Sequence, residues 1–479
     1  MEPETIAVFT VTLALIGIVI IVSSLLSGLV ERSGFPQVGI FLLLGLLLGP
    51  LALHLLDFPL HSPTLAVIAT LALVLVLFSD ALSVNVVELL RRRTLALLVL
   101  GPGTLIPAAV TAVAAWWLLG LSVAGAAVLG AALASTDPVM LRSLLRSPNL
   151  PRSAALALRL ESGMNDAVLL PIVVLAMLFV NGATGGAQHV AGADVGRLAL
   201  GLFLLGPGLG VLIGWIALTA LDRVRRRVSV RRDYESLYAL GVAFTAYAAA
   251  QAVGGSGFLA AFAAGLIIAA MDVELCDCFL DYGDASAEMF LLLTFVAFGT
   301  SPIWAGFDVV NGRTLAFAIV ALGVRTAVLL PLLRQAGLDA HDRRLVAWLG
   351  PRGLSTLLLV LLPVFAGVPG SERLFAIAAL VVLFSLVLHG SGIAFVMRRA
   401  ATEAAALVTP VPERITIDGL RELWDTDEPV VLLDVRTDHA YAEDPRRARG
   451  AIRFSPDDAV SGVTRLAVNK DATIVAFCA

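Results

Sequence analysis

The chain has 479 residues, 59% of them hydrophobic and 15% charged, with a mean hydropathy of +0.93. Soluble domains run at about 45–50% apolar, so this composition excludes one and indicates a polytopic membrane protein. Of 37 acidic and 33 basic residues, 13 and 9 lie beyond residue 410, so the stretch before it is balanced at 24 of each and the net charge of −4 resides in the tail.

Runs of about 20 apolar residues, the length that spans a bilayer, predict an all-α membrane domain of thirteen helices. In chain order they are 5–30, 37–56, 64–83, 94–119, 123–143, 155–180, 196–221, 234–252, 257–272, 285–303, 312–334, 343–366 and 372–398. The first lacks a basic leading region and a small-residue cleavage site, so it reads as a retained span rather than a signal peptide. Arginines fall in the loops after odd-numbered spans: Arg32, Arg91 to Arg93, Arg142, Arg146 and Arg152, Arg223 to Arg232, Arg334 to Arg344, then Arg398 and Arg399. Loops after even-numbered spans hold little beyond Arg313 and Arg373. By the positive-inside rule the N-terminus is outside and the C-terminal tail cytoplasmic, as in a multi-pass protein of a bacterial inner membrane.

Two spans are interrupted. Thr136-Asp137-Pro138 breaks the fifth, and Gly350-Pro351-Arg352-Gly353 breaks the twelfth. Proline removes a backbone donor and clashes with the preceding turn. Spans 4–6 and 11–13 then match as long, broken, long, which predicts inverted repeats with an ion site at the paired breaks.

Burying an ionised group in a bilayer costs about 2.5–3.5 kcal/mol on insertion scales, so such groups mark function. Here they are Asp137, Glu161, Asp166, Arg325 and Arg352, with Asp80 near one membrane face. On the sixth span Ser162, Asn165 and Asp166 lie at i, i+3 and i+4, and Glu161 shares a face with Asn165. A hydroxyl, an amide and two carboxylates on one buried face suit a hard monovalent cation such as Na⁺, which favours oxygen ligands. Asp166, Asp137, the Ser162 hydroxyl and the Thr136 carbonyl are the candidate ligands; a structural polar network is the alternative. Arg352 serves either helix-end carbonyls or Glu161. Asp80 reads as an access-funnel acid or a snorkelling surface acid, and His54 and His389 as packing histidines or proton relays.

The order STDP (135–138), ESGMND (161–166), an arginine in the third-last span and a G-x-R-G break resembles the monovalent cation:proton antiporter family, the sodium/hydrogen exchangers, over about residues 5–400. Gly163-Met164 departs mildly from the family's ESLLND. The resemblance implies that Asp166 binds cation and proton alternately, beside Asn165, Ser162 and the unwound Thr136-Asp137, and that Glu161 pairs with Arg325. Electrogenic relatives carry Asp-Asp where this chain has Asn165-Asp166, and a lysine at the place of Arg325. Arginine stays protonated and cannot cycle a second proton, so electroneutral one-for-one exchange of Na⁺ (or Li⁺ or K⁺) for H⁺ is expected. No cofactor is expected beyond the transported ions. A homodimer is implied, with the charge-poor spans 1–3 and 8–10 available as its interface.

Residues 401–413 read as a linker and 414–479 as a short α/β cytoplasmic domain, with a helix at 417–424 and strands at 430–434 and 473–477. VVLLDVR (430–436), Tyr441, RGAIRFS (449–455) and TIVAFC (473–478) resemble the rhodanese family, in which a strand-ending cysteine, here Cys478, carries a persulfide. The sequence ends one residue later and AYAEDPRRARGA lacks the family's usual histidine, so a regulatory, vestigial or truncated module is expected rather than a sulfurtransferase. Cys276 and Cys278 have no partner pair for a zinc site, and the three cysteines form no disulfide framework. A channel would need a continuous polar lining, and a symporter of anions would face clustered carboxylates. No nucleotide-binding GxxxxGK[ST] loop appears, which argues against a primary pump, and no basic tail or RNA-reading motif suggests a nucleic-acid partner.

Overall fold

The computed structural model of the chain describes residues 37–145 except 85, 150–184, 192–228, 232–271, 284–407, 415–424, 430–436, 450–455 and 473–477, with isolated positions elsewhere. The 5–30 span and the loop holding Cys276 and Cys278 lie almost wholly outside the described residues, as does Cys478. The chain divides into two units, Met1–Thr402 and Glu403–Ala479.

The first unit is helical. Its elements begin with α1 (Gln37–Leu48), α2 (Pro63–Leu82), α3 (Val86–Arg91), α4 (Arg93–Leu100), α5 (Pro102–Leu119), α6 (Val123–Ala134), α7 (Pro138–Leu145) and α8 (Arg152–Thr184). They continue with α9 (Gly192–Leu200), α10 (Gly206–Arg225), α11 (Arg232–Ala252), α12 (Gly257–Met271), α13 (Asp284–Thr300), α14 (Gly312–Gln335), α15 (Ala340–Trp348), α16 (Leu354–Phe365) and α17 (Ser371–Leu407). Among the described residues seven helices are long and apolar enough to cross a membrane, and four shorter ones are apolar.

Several elements differ from the sequence expectation. The 37–56 run is helical only to Leu48; the chain then turns, and His54 sits exposed outside any helix with a left-handed φ of 53°. The 94–119 span is two helices, because Pro102 starts a new one after Gly101. The 196–221 span contains a wider π turn at Gly201–Leu205. The 285–303 run ends as a helix at Thr300 and continues as a 3₁₀ turn, Pro302–Phe307. The final helix runs to Leu407, through the first half of the expected linker, since AATEAAAL is built of strong helix formers.

Helices pack closely where side chains are smallest. A Cβ on Gly45 of α1 would lie 2.7 Å from the Cα of Gly299 on α13, so only glycine lets these backbones meet. Start signals are local: Asn311 accepts from the Arg313 and Thr314 amides, and Thr314 Oγ1 accepts from the Asn311 amide at 2.9 Å, a reciprocal cap that fixes the start of α14.

The second unit carries α18 (Ile417–Trp424) and strands β1 (Val430–Asp434), β2 (Ile452–Arg453) and β3 (Thr473–Phe477) in a parallel sheet of order β2-β1-β3. At the end of β1, Arg436 donates to both oxygens of Asp434, with Nε to Oδ1 at 2.9 Å and Nη2 to Oδ2 at 2.7 Å. Its guanidinium also lies 5.1 Å from the Tyr441 ring centroid. The Arg436 side chain, with its hydrogen bonds, holds the Asp434 carboxyl below the usual carboxylate range.

Candidate functional site

Two unwound stretches meet in the first unit. Helix α6 stops at Ala134, Ser135 turns extended (ψ 138°), and Pro138 opens α7 at the position where a missing N–H costs nothing. Helix α15 stops at Trp348, and Pro351 keeps the residue before it out of the helical region, so α16 starts only at Leu354. The stretches touch directly: the Asp137 N–H donates to the Pro351 carbonyl at 2.9 Å.

Four helix ends are thereby gathered, two with unpaired carbonyls and two with unpaired amides. Each kind receives the opposite charge, as the helix dipole demands. Asp137 serves both N-termini, taking the Val139 amide on Oδ1 and the Leu354 amide on Oδ2, each at 2.9 Å. A Cβ on Gly353 would run into this carboxylate, so that position must be glycine. Arg352 reaches across to the end of α6, donating to Ala134 O at 2.7 Å and Ser135 O at 3.0 Å. Arg325 serves the end of α15, donating to Ala347 O at 2.8 Å and Val346 O at 2.9 Å.

Arg325 also grips Glu161 with two bonds of 2.6 Å, both side chains being 4% exposed. One guanidinium thus ties α8, α14 and the end of α15 together, and Arg352 makes no hydrogen bond to Glu161. Arg352 therefore takes the first of the two roles the sequence left open.

The same face of α8 presents the remaining groups, all buried. The Ser135 hydroxyl donates to Asp166 Oδ1, and Asn165 Nδ2 donates to Thr136 Oγ1 at 2.8 Å. The Ser162 hydroxyl donates to Leu158 O at 2.8 Å, one turn back on its own helix. Ser355 at the start of α16 also faces Asp166, outside the geometry of a full hydrogen bond. Three buried polar atoms of this cluster have no hydrogen-bond partner among the described residues, the oxygens Asp166 Oδ2 and Asn165 Oδ1 and the donor Arg352 Nε; away from the cluster, Thr111 Oγ1 on α5 is in the same state. Buried polar atoms are nearly always satisfied, so each exception needs a reason. Carboxylate, amide and hydroxyl oxygens are the donor types that a hard cation takes. Among the described residues no group of three or more His, Cys, Asp or Glu could hold a metal ion.

Not every candidate belongs to this cluster. Asp80, half-buried in α2, packs beside Gly163 of α8. His389 is buried in α17 and shares a 2.9 Å hydrogen bond with Ser385, whose hydroxyl accepts the Arg352 amide at 2.6 Å. Ser135, Ser355 and Ser385 were not singled out from the sequence. Ser135 had a signal, its place directly before the break; the two serines of later helices had none.

Residues 18–399 match the family described as sodium/hydrogen exchanger, transmembrane. The chain is 30% identical over 419 residues to the K⁺/H⁺ antiporter NhaP2 of Shewanella sp. (strain MR-4), covering 85% of this chain and 69% of that protein. It is 27% identical over 394 residues to the K⁺/H⁺ antiporter NhaP of Alkalimonas amylolytica, covering 81% and 66%. Its fold is similar to that of the sodium proton antiporter MjNhaP1 from Methanocaldococcus jannaschii at pH 8, with a TM-score of 0.63 and 18% identity over 82% of this chain and all of the other.

Proposed function

The chain belongs to the sodium/hydrogen exchanger family, whose members named above are secondary transporters rather than enzymes, and from that premise we propose that it exchanges a monovalent cation for a proton, with Asp166 taking one or the other. The observation that carries this reading is the pair of unsatisfied buried oxygens, Asp166 Oδ2 and Asn165 Oδ1. A proton on Asp166 or a cation between the two oxygens would each relieve the cost of burying them bare. Both together would put two positive charges on one carboxylate, so the ligands compete.

The other acids of the cluster are committed elsewhere. Glu161 is held by Arg325, and Asp137 by two helix N-termini. One carboxylate then remains to cycle, which supports one-for-one, electroneutral exchange. Asp137 and Ser162 act in this reading by shaping the break and the face of α8, and can lend an oxygen only by sharing one already bonded. Alternating access follows from movement of the bundle that carries the crossing. Thirteen spans, an outside N-terminus, a cytoplasmic tail, a homodimer and a rhodanese-like character for the tail complete the proposal. Na⁺ and K⁺ are both candidate cargoes, since the relatives named above are described with one or the other.

Proton flux in sealed vesicles, measured against Na⁺, K⁺ and Li⁺ with the membrane potential clamped at several values, tests this. The expected outcome is cation-dependent flux whose rate ignores the potential. A current that follows transport would overturn the stoichiometry, and flux without any cation would overturn the exchange.

A further inference from the structure

The hairpin of α14 and α15 carries a groove that the exchange reaction does not use. One cavity of about 550 Å³ lies between the end of α14 and the start of α15 and is lined by Arg334, Arg343 and Arg344. A second, of about 350 Å³, lies further along the same hairpin and is lined by Leu345 and Trp348. Leu330 and Arg344 line both, so the two form one groove with a basic end and an apolar end.

The charge in it is uncompensated. Among the described residues none of the three arginines forms an ion pair, and the one side-chain hydrogen bond they make is from Arg343 Nη1 to Leu338 O at 3.3 Å. The acids of α15 and its cap do not line the groove: Asp342 is buried and accepts from Ser153 of α8, and Asp339 stands exposed at the helix start. At the other end Trp348 is 43% exposed although it is the largest apolar side chain of the hairpin. We propose that this groove binds an anionic phospholipid, its phosphate on Arg334, Arg343 and Arg344 and an acyl chain along Leu330, Leu345 and Trp348. Basic pockets between membrane helices at the face richer in arginine suit acidic headgroups, and indole favours the interface between headgroup and hydrocarbon. A soluble anion would leave the apolar half unused, and a neutral lipid would leave three cations unpaired.

The site also bears on the crossing. Thr326, which lines the apolar end, donates to the Ala347 carbonyl at 2.9 Å, the same carbonyl that Arg325 holds. An occupant therefore braces the hairpin whose end is the second break.

The test uses the full chain in phosphatidylcholine nanodiscs with phosphatidylglycerol brominated on its acyl chains, reading the quenching of Trp348 as the difference between wild type and Trp348→Phe. Quenching is expected at a lower mole fraction than with brominated phosphatidylcholine. Each single change among Arg334→Gln, Arg343→Gln and Arg344→Gln should weaken the preference about fivefold, the increment of one basic residue near an anionic surface. Changing Arg223, Arg226 and Arg227 to Gln should leave it intact. Equal quenching by the two lipids, or an unaltered preference in the groove variants, overturns the proposal. So does loss of the preference in inorganic phosphate but not in chloride of equal ionic strength, which would mark a soluble-anion site. The inference rests on the membrane reading alone, so a chain that failed to exchange ions would still answer it.

Discussion

Two buried pairs of arginine and carboxylate, one in each unit, use the same fork geometry for different ends. Arg325 and Glu161 stand 164 positions apart and join three helices. Arg436 and Asp434 stand two positions apart and fix the end of one strand. The distant pair is structural mortar for the crossing, because each partner is held only if the helices are assembled. The local pair forms wherever its own turn forms. A third buried carboxylate, Asp166, has neither an arginine partner nor the two helix-end amides that hold Asp137, and that difference marks it as the group left to do chemistry.

The largest effect expected is at this unpaired acid. Asp166→Asn should reduce cation-dependent proton flux to the background of empty vesicles while the protein still elutes as a folded species, since removing the charge removes a burial cost. Residual exchange in that variant would transfer the chemistry to another residue. Next comes the long-range pair. Arg325→Ala strands Glu161 in the interior, at about 3–5 kcal/mol, and should appear as lost expression or a lowered thermal midpoint. Replacing both partners with apolar residues should recover most of that loss, and a failure to recover would mean that the bonds to Val346 and Ala347 matter more than the pair.

Asp137→Ala removes two helix caps, each of about 0.5–2 kcal/mol, and should lower the thermal midpoint by less than Arg325→Ala does. The smallest effect belongs to the tail. A carboxyl held below its ordinary pKa stabilises the fold above that ordinary value, and the gain is lost as pH falls through the folded value. The protection of the β1 amides of the full chain, taken relative to their intrinsic exchange at each pH, should therefore fall below about pH 4, and Arg436→Ala should flatten that step. The variant keeps the backbone N–H of residue 436, which donates to Asp434 at 3.2 Å, so its loss at neutral pH should be modest.

Much of the fold was legible because membrane helices announce themselves by length and apolarity, and prolines by what they forbid. The breaks at 135–137 and 349–353 follow from Pro138 and Pro351, and the tail strands from VVLLD and TIVAF. Elsewhere local rules fell short. The run 94–119 reads as one span by its apolarity, although Gly101-Pro102-Gly103 inside it is a break signal that length and hydropathy alone pass over. His54 reads like part of a span because leucines flank it, yet the chain has already turned.

The sequence by itself determined that the chain is a membrane protein, where its two crossing helices break, and which few charged residues it carries into the interior. Only the tertiary structure decided the other partners: Arg352 for the end of α6, Asp137 for two amides at once, and, among the described residues, no hydrogen bond to Asp166 Oδ2. Periodicity and propensity act over a few residues, whereas a guanidinium fits any carboxylate or carbonyl that packing brings within reach. Which one it meets depends on helices that cross from opposite ends of the sequence.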